Sequence, residues 1–404
     1  MGEPHTPLLA VDEALRRLLA GVVPLPAETV DLTAAHGRVL AKDIAAQLTQ
    51  PPFDASAMDG YAVRSADAAA VPATFKVIGE AAAGRGYSGR LRAGEAVRIF
   101  TGAPIPAGAD AVVIQEDAVR DGADIAITQA TFPGENIRGR GKDFRQSELL
   151  FSAGHRLTAR DLMLAASSGQ GALCVHRRPS VAILATGDEL VPPGTMPGPD
   201  QIVSSIPVGL AGMIASAGGQ ARHLGIARDT LADLDGKIAS AADADILVTI
   251  GGASVGDHDL VQKALTARGL TLAFWRIAMR PGKPLMYGQF GAQRVLGLPG
   301  NPVSATLCAQ IFLLPLIRAL QGGVPRLETT TGILAAPLAA NGPRQHYIRA
   351  RIVTPGSPPT IRALPSQDSS LIATLARADC LIVQPANGPA QATGEAVRLL
   401  QLEG

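Results

Sequence analysis

Residues 248–259 read VTIGGASVGDHD, and this stretch decides how the chain is interpreted. Its apolar start predicts a buried strand, which passes into a glycine turn and ends at two acids, Asp257 and Asp259. Small residues after a strand leave backbone N–H groups free, and oxyanions bind where such groups converge. Carboxylates beside an anion site usually hold Mg²⁺ or transfer protons. The stretch therefore indicates an anion site with Asp257 and Asp259 as candidate metal ligands.

The region around this stretch, 179–326, alternates between strand-like and helix-like segments. VAILAT (181–186), DILVTI (245–250) and RVLGLPG (294–300) predict buried strands, and amphipathic segments between them predict helices. Such alternation is typical of an α/β layer with a mostly parallel sheet. Ligands of such sheets bind beyond the carboxyl ends of the strands.

Three glycine-rich or acidic stretches fall at that predicted edge. They are TGDE (186–189), the stretch 248–259, and LPGNP (298–302), which precedes a helix. Any one of them could simply turn the chain, but three at the same edge favour a ligand site. The candidate substrate-binding residues in the last two stretches are Gly251, Gly252, Ser254, Gly256, Pro299, Gly300, Asn301, Pro302 and Ser304.

A cationic segment, MRPGKP (279–284), is predicted to lie in the same region. Arg276, Arg280 and Lys283 would all lie near one strand end, with Gly282 in the turn between two prolines. Guanidinium and ammonium groups beside glycine loops suit phosphate or another oxyanion, although a solvated charged turn is the simpler alternative.

The pattern of apolar residues and glycines changes along the rest of the chain and divides it into regions. Helical patterns in 8–20 and 158–169 predict a helical linking region made of 1–45 and 148–178, and 46–147 predicts a β-rich domain. The α/β domain would span 179–326, and short strands in 327–404 predict a small C-terminal β-barrel. The fold class is therefore a multidomain α/β plus β protein.

Composition limits the classes of function. The 404 residues are 47% hydrophobic and 18% charged, with 3% aromatics and a net charge of +1. The net charge is too small to attract polyanions and aromatic side chains for base stacking are scarce, so nucleic-acid binding is not expected. No signal-peptide core is recognisable, and Pro315 and Arg318 interrupt the best apolar run. We therefore expect a cytoplasmic protein that does not bind membranes.

The β-rich region has dense motifs of its own. PPFDASAMDGYAV (51–63), TGAPIPAGAD (101–110) and GENIRGRGKDF (134–144) each combine a turn with a hydroxyl or an acid. The candidate residues are Ser56, Asp59, Thr101 and Asp143. Acids in glycine-rich turns are most often plain turn residues, so each alone is weak evidence.

Taken in order, these motifs resemble the molybdopterin molybdenumtransferases, which include bacterial enzymes and the C-terminal domain of gephyrin. The ordered set is SAMDGYAV, TGAP, GENIRGRGKD, ATGDEL, GGASVGDHD, RPGKP and GLPGNPVSAT, and the resemblance covers essentially the whole chain. It implies an elongated subunit with a helical linking region, a lemon-shaped β-rich domain, an α/β molybdopterin-binding domain and a C-terminal β-barrel. It also implies a homodimer whose active cleft lies between the α/β domain of one subunit and the β-rich domain of the other.

The activity implied by the resemblance is Mg²⁺-dependent insertion of molybdate into adenylylated molybdopterin, with release of AMP. A molybdopterin adenylyltransferase and an apo-molybdoenzyme are the implied protein partners. Carried over by motif, the catalytic residues are Asp59, Thr101, Asp143, Glu189, Asp229 and Asp259. Ser304, Arg349 and Ser369 match positions that line the family's molybdate niche. The choice between molybdate and tungstate stays open.

The chain departs from the family pattern at two places. Many members have Lys where this chain has Arg276 and Arg280, and many have an Asp-Ser/Thr-Asn run where it has Ser204-Ser205-Ile206. Two alternatives follow: a non-catalytic scaffold that binds molybdopterin or molybdate, and a nucleotide-pyrophosphate hydrolase built on the same α/β domain. The retained acids disfavour the scaffold, and the β-rich and barrel motifs disfavour the hydrolase.

Overall fold

The computed structural model describes residues 8–252 and 260–402. It divides into two compact units, of which one comprises Met1–Glu28, Gly37–Ala41 and Cys174–Gly404, and the other Thr29–His36 and Lys42–Leu173. The first helix, α1 (Val11–Leu19), confirms the helical prediction for 8–20. It buries Val11, Ala14 and Leu18, which share one face because they are spaced by three and four residues.

The unit made of 29–36 and 42–173 is mostly β-structure, as predicted. Its described residues form a six-stranded sheet in the order β4-β1-β3-β2-β6-β5. These strands are β1 (Gly60–Val63), β2 (Ala73–Ala81), β3 (Glu95–Ile99), β4 (Ala111–Ile114), β5 (Ala118–Asp121) and β6 (Asp124–Ile127). Short strands also occur at Ala27–Asp31, Ile44–Ala45, Ala55–Ser56, Ile137–Arg138, Leu149–Phe151 and Ala172–His176.

Helix α2 (Ala159–Ser167) begins where the sequence predicts. Thr158 is its N-cap and forms a capping box with Asp161, in which each side chain accepts a hydrogen bond from the other residue's backbone amide. This arrangement satisfies two amides that the first helical turn would otherwise leave unpaired.

The second described sheet is the predicted α/β layer. Its order is β10-β7-β11-β15-β14-β12, in which the first four strands are parallel, β14 pairs antiparallel with β15, and β12 pairs antiparallel with β14. The strands of this sheet are β7 (Ser180–Thr186), β10 (Gln220–Ala227), β11 (Ile246–Ile250), β12 (Thr271–Trp275), β14 (Met286–Phe290) and β15 (Gln293–Leu298). Three short strands of the same region lie outside it: β8 (Leu190–Val191), β9 (Ile202–Val203) and β13 (Met279–Arg280). The helices are α3 (Ile206–Ser216), α4 (Leu231–Ala239) and α5 (Leu260–Ala267).

Helices cover both faces of this sheet, so its central strands read as nearly continuous apolar runs. All five residues of β11 are buried. Val181 and Val248 belong to the core that includes α3, whereas Ala182 and Leu247 belong to the core that includes α4 and α5. The side chains of alternate residues in each strand therefore pack on opposite faces of the sheet.

One long apolar helical run follows β15. It consists of α6 (Pro302–Cys308), a π-helical segment (Ala309–Leu313) and α7 (Leu314–Leu320). The π-helical segment ends just before Pro315, where a kink is predicted because proline has no N–H for the helix ladder. Pro302–Leu320 has the length and hydropathy of a membrane span, but 83% of its apolar window is buried inside the protein, so it is a core helix.

The C-terminal region forms the predicted barrel. Five of its described strands close a ring in the order β17-β18-β16-β20-β19, with β19 pairing back onto β17. They are β16 (Thr329–Leu334), β17 (Gln345–Thr354), β18 (Thr360–Ala363), β19 (Cys380–Gln384) and β20 (Ala396–Gln401), and α8 (Ile372–Ala376) lies between β18 and β19. The short strand β13 adds to β17 in parallel.

Candidate functional site

A cavity of about 820 Å³ opens at the carboxyl ends of β7, β11 and β15. Two hydrogen bonds join these strand ends: the Gly251 amide donates to the Leu298 carbonyl at 3.1 Å, and the Thr186 hydroxyl donates to the Ile250 carbonyl at 3.3 Å. All three predicted stretches contribute to the cavity, as expected for an open α/β sheet. From the predicted set it is lined by Glu189, Asp229, Gly251, Gly252, Pro299, Gly300, Asn301 and Pro302.

Gly187 and Gly252 of the cavity wall have positive φ angles. At Gly187, with φ of +139°, the backbone conformation favours glycine, and an added Cβ would displace the exposed carboxylate of Glu189. At Gly252, with φ of +63°, an added Cβ would lie 2.3 Å from Cγ2 of Val261. The space above Gly252 is therefore closed by α5, which packs beneath the β11 turn.

Three exposed acids lie at this edge of the sheet. Glu189 and Asp229 line the cavity. Asp188 and Asp229 bind each other's backbone, since the Asp229 amide donates to Asp188 at 3.2 Å and the Asp188 amide donates to Asp229 at 3.4 Å. Asp188 is absent from the sequence-based site, although its position next to Glu189 in the TGDE stretch could have revealed it.

The segment that departs from the family pattern forms another wall of the cavity. Ile202, Val203, Ser204, Ser205 and Ile206 all line it. Ile202 and Val203 are 59% and 41% exposed, whereas Ser204 is buried and its amide donates to the Val191 carbonyl at 2.9 Å. The exposed part of this wall is therefore aliphatic.

A loop of the barrel, 366–370, contacts the start of α6. The Asn301 side-chain amide donates to the Ser369 hydroxyl at 3.2 Å, and the Val303 amide donates to the Ser369 carbonyl at 3.2 Å. The structure thus brings the predicted residues Asn301 and Ser369 together. Ser304 lies in the first turn of α6 and is 4% exposed.

Arg349 holds the same barrel loop. The side chain is 1% exposed, and it donates to the Asp368 carbonyl at 2.9 Å, the Gln367 side-chain oxygen at 3.3 Å and the Ser366 carbonyl at 3.4 Å. Gln367 also accepts from the Arg349 amide at 2.9 Å and donates to the Arg349 carbonyl at 3.0 Å. Sequence reasoning missed Gln367, which lies in the polar run SQDSS (366–370) that could have drawn attention to it.

The cationic segment meets the barrel through β13 and β17. Arg280 is exposed and pairs in register with His346. Burial, followed by the charges of Arg280, Arg344 and Arg349, lowers the pKa of His346 to about 4. His346 and Arg344 were not predicted, and their convergence with Arg280 depends on a strand pairing that only the fold shows.

The other predicted members of this segment have separate environments. The Arg276 guanidinium lies 4.6 Å from the centroid of the Trp275 ring. Lys283 has an exposed side chain, and its carbonyl accepts hydrogen bonds from the Ile277 and Leu285 amides. Gly282 is buried with φ of +106°, and a Cβ there would lie 2.6 Å from the Cys308 sulfur.

In the other unit, Asp59 and Thr101 form a tight pair. One Asp59 oxygen accepts from the Thr101 amide at 2.7 Å and from its hydroxyl at 2.9 Å. These two bonds, with a smaller effect of Arg98, lower the pKa of Asp59. The Arg98 guanidinium lies 5.0 and 4.9 Å from the ring centroids of Tyr61 and Phe100.

The other two predicted residues of that unit, Asp143 and Ser56, make different contacts, although Ser56 lies beside this pair, since its carbonyl accepts from the Gly102 amide at 2.9 Å. Asp143 is exposed, and its amide donates to the Gln50 carbonyl at 3.0 Å. Ser56 is fully buried, and its hydroxyl donates to the Met58 carbonyl at 2.6 Å, which is a turn-stabilising role. Ser254, Gly256, Asp257 and Asp259 lie outside the described residues.

The chain matches three family descriptions in sequence order. Residues 9–169 match the MoeA N-terminal region (domains I and II), residues 182–319 match a probable molybdopterin binding domain, and residues 331–402 match the MoeA C-terminal region (domain IV).

Whole-chain relatives agree with the family matches. A molybdopterin molybdenumtransferase of Nostoc sp. is 35% identical over 99% of this chain and 95% of its own length. Molybdopterin molybdenumtransferase 2 of Mycobacterium tuberculosis is 36% identical over 80% of this chain and 82% of its own length. The crystal structure of the molybdopterin biosynthesis moeA protein of Pyrococcus horikoshii OT3 superposes with a TM-score of 0.84 at 26% identity, covering 98% of this chain and 100% of that one. The chain therefore belongs to the molybdopterin molybdenumtransferases, a family of enzymes of molybdenum cofactor biosynthesis.

Proposed function

We propose that this enzyme inserts molybdate into adenylylated molybdopterin in a Mg²⁺-dependent reaction that releases AMP. The observation that carries the proposal is the proximity of two kinds of site in one α/β and barrel unit. A cavity of about 820 Å³ with glycine turns and acids suits a phosphorylated organic ligand. The Asn301–Ser369 contact links its rim to the barrel loop that Arg349 holds.

The second kind of site suits a small oxyanion. Arg280 pairs in register with the buried His346, and burial, followed by the charges of Arg280, Arg344 and Arg349, lowers the pKa of His346, so positive charge accumulates where β13 meets the barrel. Cations and hydroxyl donors such as Ser369 are suited to a tetrahedral dianion. Arg349 uses part of its donor capacity on the loop 366–368, and we propose that it both shapes this niche and contributes its charge.

The residues present fit a Mg²⁺ ion. Glu189 and Asp229 place carboxylates on the cavity wall, and Mg²⁺ prefers carboxylate and phosphate oxygens. Asp257 and Asp259, which lie outside the described residues, would supply the further ligands. Bound Mg²⁺ would supply charge neutralisation at the phosphoryl oxygens.

The chain's own groups would divide the remaining work. The amides of the Gly251–Gly252 turn would bind phosphate oxygens, and Lys283 and Arg280 would bind the incoming oxyanion. Asp59 is held ionised by Thr101, so it would act as a charged hydrogen-bond acceptor at neutral pH. We also propose a cytoplasmic homodimer in which Asp59, Thr101 and Asp143 of one protomer meet Glu189, Asp229 and Asp259 of its partner.

Alanine substitutions test the catalytic assignments. Separate Asp59→Ala, Asp143→Ala and Glu189→Ala variants should still bind adenylylated molybdopterin but should lose AMP release. The matched control is Asp117→Ala, which removes an acid of the β-rich unit outside the proposed site. AMP release at the wild-type rate in all three variants would refute these assignments, and AMP release independent of molybdate would favour a nucleotide-pyrophosphate hydrolase.

A further inference from the structure

Arg98 lies near the end of strand β3, between two aromatic side chains. Its guanidinium is 5.0 Å from the ring centroid of Tyr61 and 4.9 Å from that of Phe100. Tyr61 is the cross-strand partner of Arg98 on β1, so the two side chains stand on the same face of the sheet. Phe100 directly follows β3, and the two rings together hold the guanidinium in one place.

The same guanidinium donates two hydrogen bonds around the turn that carries Asp59. One nitrogen donates to the Gly60 carbonyl at 3.3 Å, and another donates to the Gln115 side-chain oxygen at 2.7 Å. The backbone amide of Gln115 in turn donates to the Asp59 carbonyl at 3.1 Å. The carbonyls of Asp59 and Gly60 are therefore both held, one through Gln115 and the other by Arg98 directly.

Gly60 leaves this turn little room to shift. An added Cβ at Gly60 would lie 1.9 Å from the Val113 carbonyl oxygen, so the backbone of Gly60 lies directly against β4. Gly60 also pairs with Ile99 of β3 on its other side. In a turn packed this closely, the direction of the Asp59 side chain depends on few contacts.

Two acids flank Arg98, and each of them has a different partner. Glu80 on β2 is a cross-strand partner of Arg98, but its carboxylate pairs with Arg85 at 3.3 Å. Glu116 accepts a hydrogen bond from the Gln115 side-chain amide at 3.3 Å. The positive charge of Arg98 is therefore available to a group at the start of β1.

That group is Asp59, which directly precedes β1. Aromatic faces attract a cation but do not neutralise it. The two hydrogen bonds from Thr101 and, to a smaller extent, the charge of Arg98 lower the pKa of Asp59. Arg98 thus acts on Asp59 in two ways, through the backbone of the turn and through its charge.

We propose that Arg98 is a positioning residue that directs the Asp59 carboxylate. The inference rests on the proposed function, and it adds a residue that the catalytic assignments do not include. Arg98 would act through Gly60 and Gln115 and would not itself bind the substrate. The role requires arginine, because a lysine ammonium has no planar group that can lie between two rings and bridge two acceptors.

Two substitutions in the full-length protein separate the charge of Arg98 from its hydrogen bonds. Arg98→Lys keeps the charge but loses the bridge between Gly60 and Gln115, whereas Arg98→Gln loses both. Both variants should lower kcat for AMP release by about tenfold, because the carboxylate is misplaced, while the KM for adenylylated molybdopterin changes by less than about twofold. Arg120→Gln is the matched control, since the Arg120 side chain donates to the Gly122 carbonyl in the same unit, and it should keep the wild-type kcat.

The carboxyl carbon of Asp59 gives a second readout that does not depend on activity. Isotope labelling of the aspartate carboxyl carbons, with Asp59→Asn to assign the signal, reports the environment and the pKa of Asp59 by NMR. The signal should move in both Arg98 variants, and the pKa should rise only in Arg98→Gln. Gln115→Ala leaves Arg98 in place but removes its acceptor beside Asp59, so it should also move the signal and tests the same path where an Arg98 variant does not fold.

The outcomes separate this inference from the proposed function. An unchanged Asp59 signal in the Arg98 and Gln115 variants would overturn the inference. A larger change in KM than in kcat would also overturn it, because Arg98 would then bind the substrate directly. Absence of AMP release by the wild-type protein would refute the proposed function, and the Asp59 signal would still decide whether Arg98 positions this carboxylate.

Discussion

Thr101 donates two hydrogen bonds to one carboxylate oxygen of Asp59, from its amide at 2.7 Å and from its hydroxyl at 2.9 Å. Both bonds favour the ionised carboxylate and lower the pKa of Asp59. The pair joins the end of the SAMD motif to the start of the TGAP motif. Two motifs that are 42 residues apart in sequence therefore form one chemical unit.

Replacing Thr101 with Val tests this unit. The hydrogen bond from the backbone amide can persist, but the hydrogen bond from the hydroxyl is lost. The pKa of Asp59 should therefore rise, and the acid limb of the pH profile should move to higher pH. We expect kcat/KM for AMP release to fall about tenfold, the effect of one hydrogen bond. Thr128→Val is the control, since the Thr128 hydroxyl donates to the Asp117 carbonyl in the same unit. A pH profile identical to that of the wild type would contradict a catalytic role of the ionised Asp59.

Gln367 should affect the oxyanion niche through Arg349. Gln367→Ala removes an acceptor of the buried Arg349 guanidinium and a donor to its carbonyl, so the free energy of unfolding should fall by about 1–3 kcal/mol. The molybdate concentration at half-saturation should rise by a larger factor than the KM for the organic substrate, because loop 366–370 also carries Ser369. Gln384→Ala is the control, because it removes the hydrogen bond from the Gln384 side-chain amide to the Ala339 carbonyl elsewhere in the barrel. It should lower stability without changing the dependence on molybdate.

Gly252 offers a test of the glycine turn. Gly252→Ala introduces a Cβ 2.3 Å from Val261, whereas Gly21→Ala introduces one into open space at a closely matched φ of +65°. Both substitutions strain the backbone, so the difference between them isolates the contact with α5. The Gly252 variant should be less stable by about 1–3 kcal/mol in urea unfolding and should lose AMP release. Equal stability of the two variants would mean that the turn can move away from α5.

His346 should make stability depend on pH in the acidic range. Its pKa is lowered from 6.5 to about 4, so between these values the unfolded chain binds more protons than the folded protein. The stability contributed by the neutral imidazole is present above pH 6.5 and is lost as the pH falls through about 4. Urea unfolding at pH 7 and pH 5 should show a smaller loss of stability for His346→Gln than for the wild type. His155→Gln serves as the control, and the same loss in His346→Gln and wild type would contradict the lowered pKa.

The parts of the fold that follow from local pattern were predictable. The alternation of buried strands and amphipathic helices in 179–326 and the helical pattern in 158–169 depend on neighbouring residues alone, and the structure confirms both. The short strands Gly60–Val63 and Thr360–Ala363 were missed, because four residues carry little periodicity and the second follows two prolines. Their strand character comes from pairing with distant partners.

The candidate site divides in the same way. The glycine and acid stretches at strand ends were predictable, since a parallel sheet brings its carboxyl ends together. The Arg349–Gln367 contacts and the convergence of Arg280 on His346 depend on barrel closure and on the β13–β17 pairing, which no local pattern encodes.

The most direct test of the central claim is a reconstitution with the purified protein, adenylylated molybdopterin, Mg²⁺ and molybdate. AMP release and activation of an apo-molybdoenzyme are followed in the same reaction. We predict that both require molybdate and Mg²⁺ and that they rise together. AMP release without molybdate, or no activation at any molybdate concentration, would contradict the proposed function.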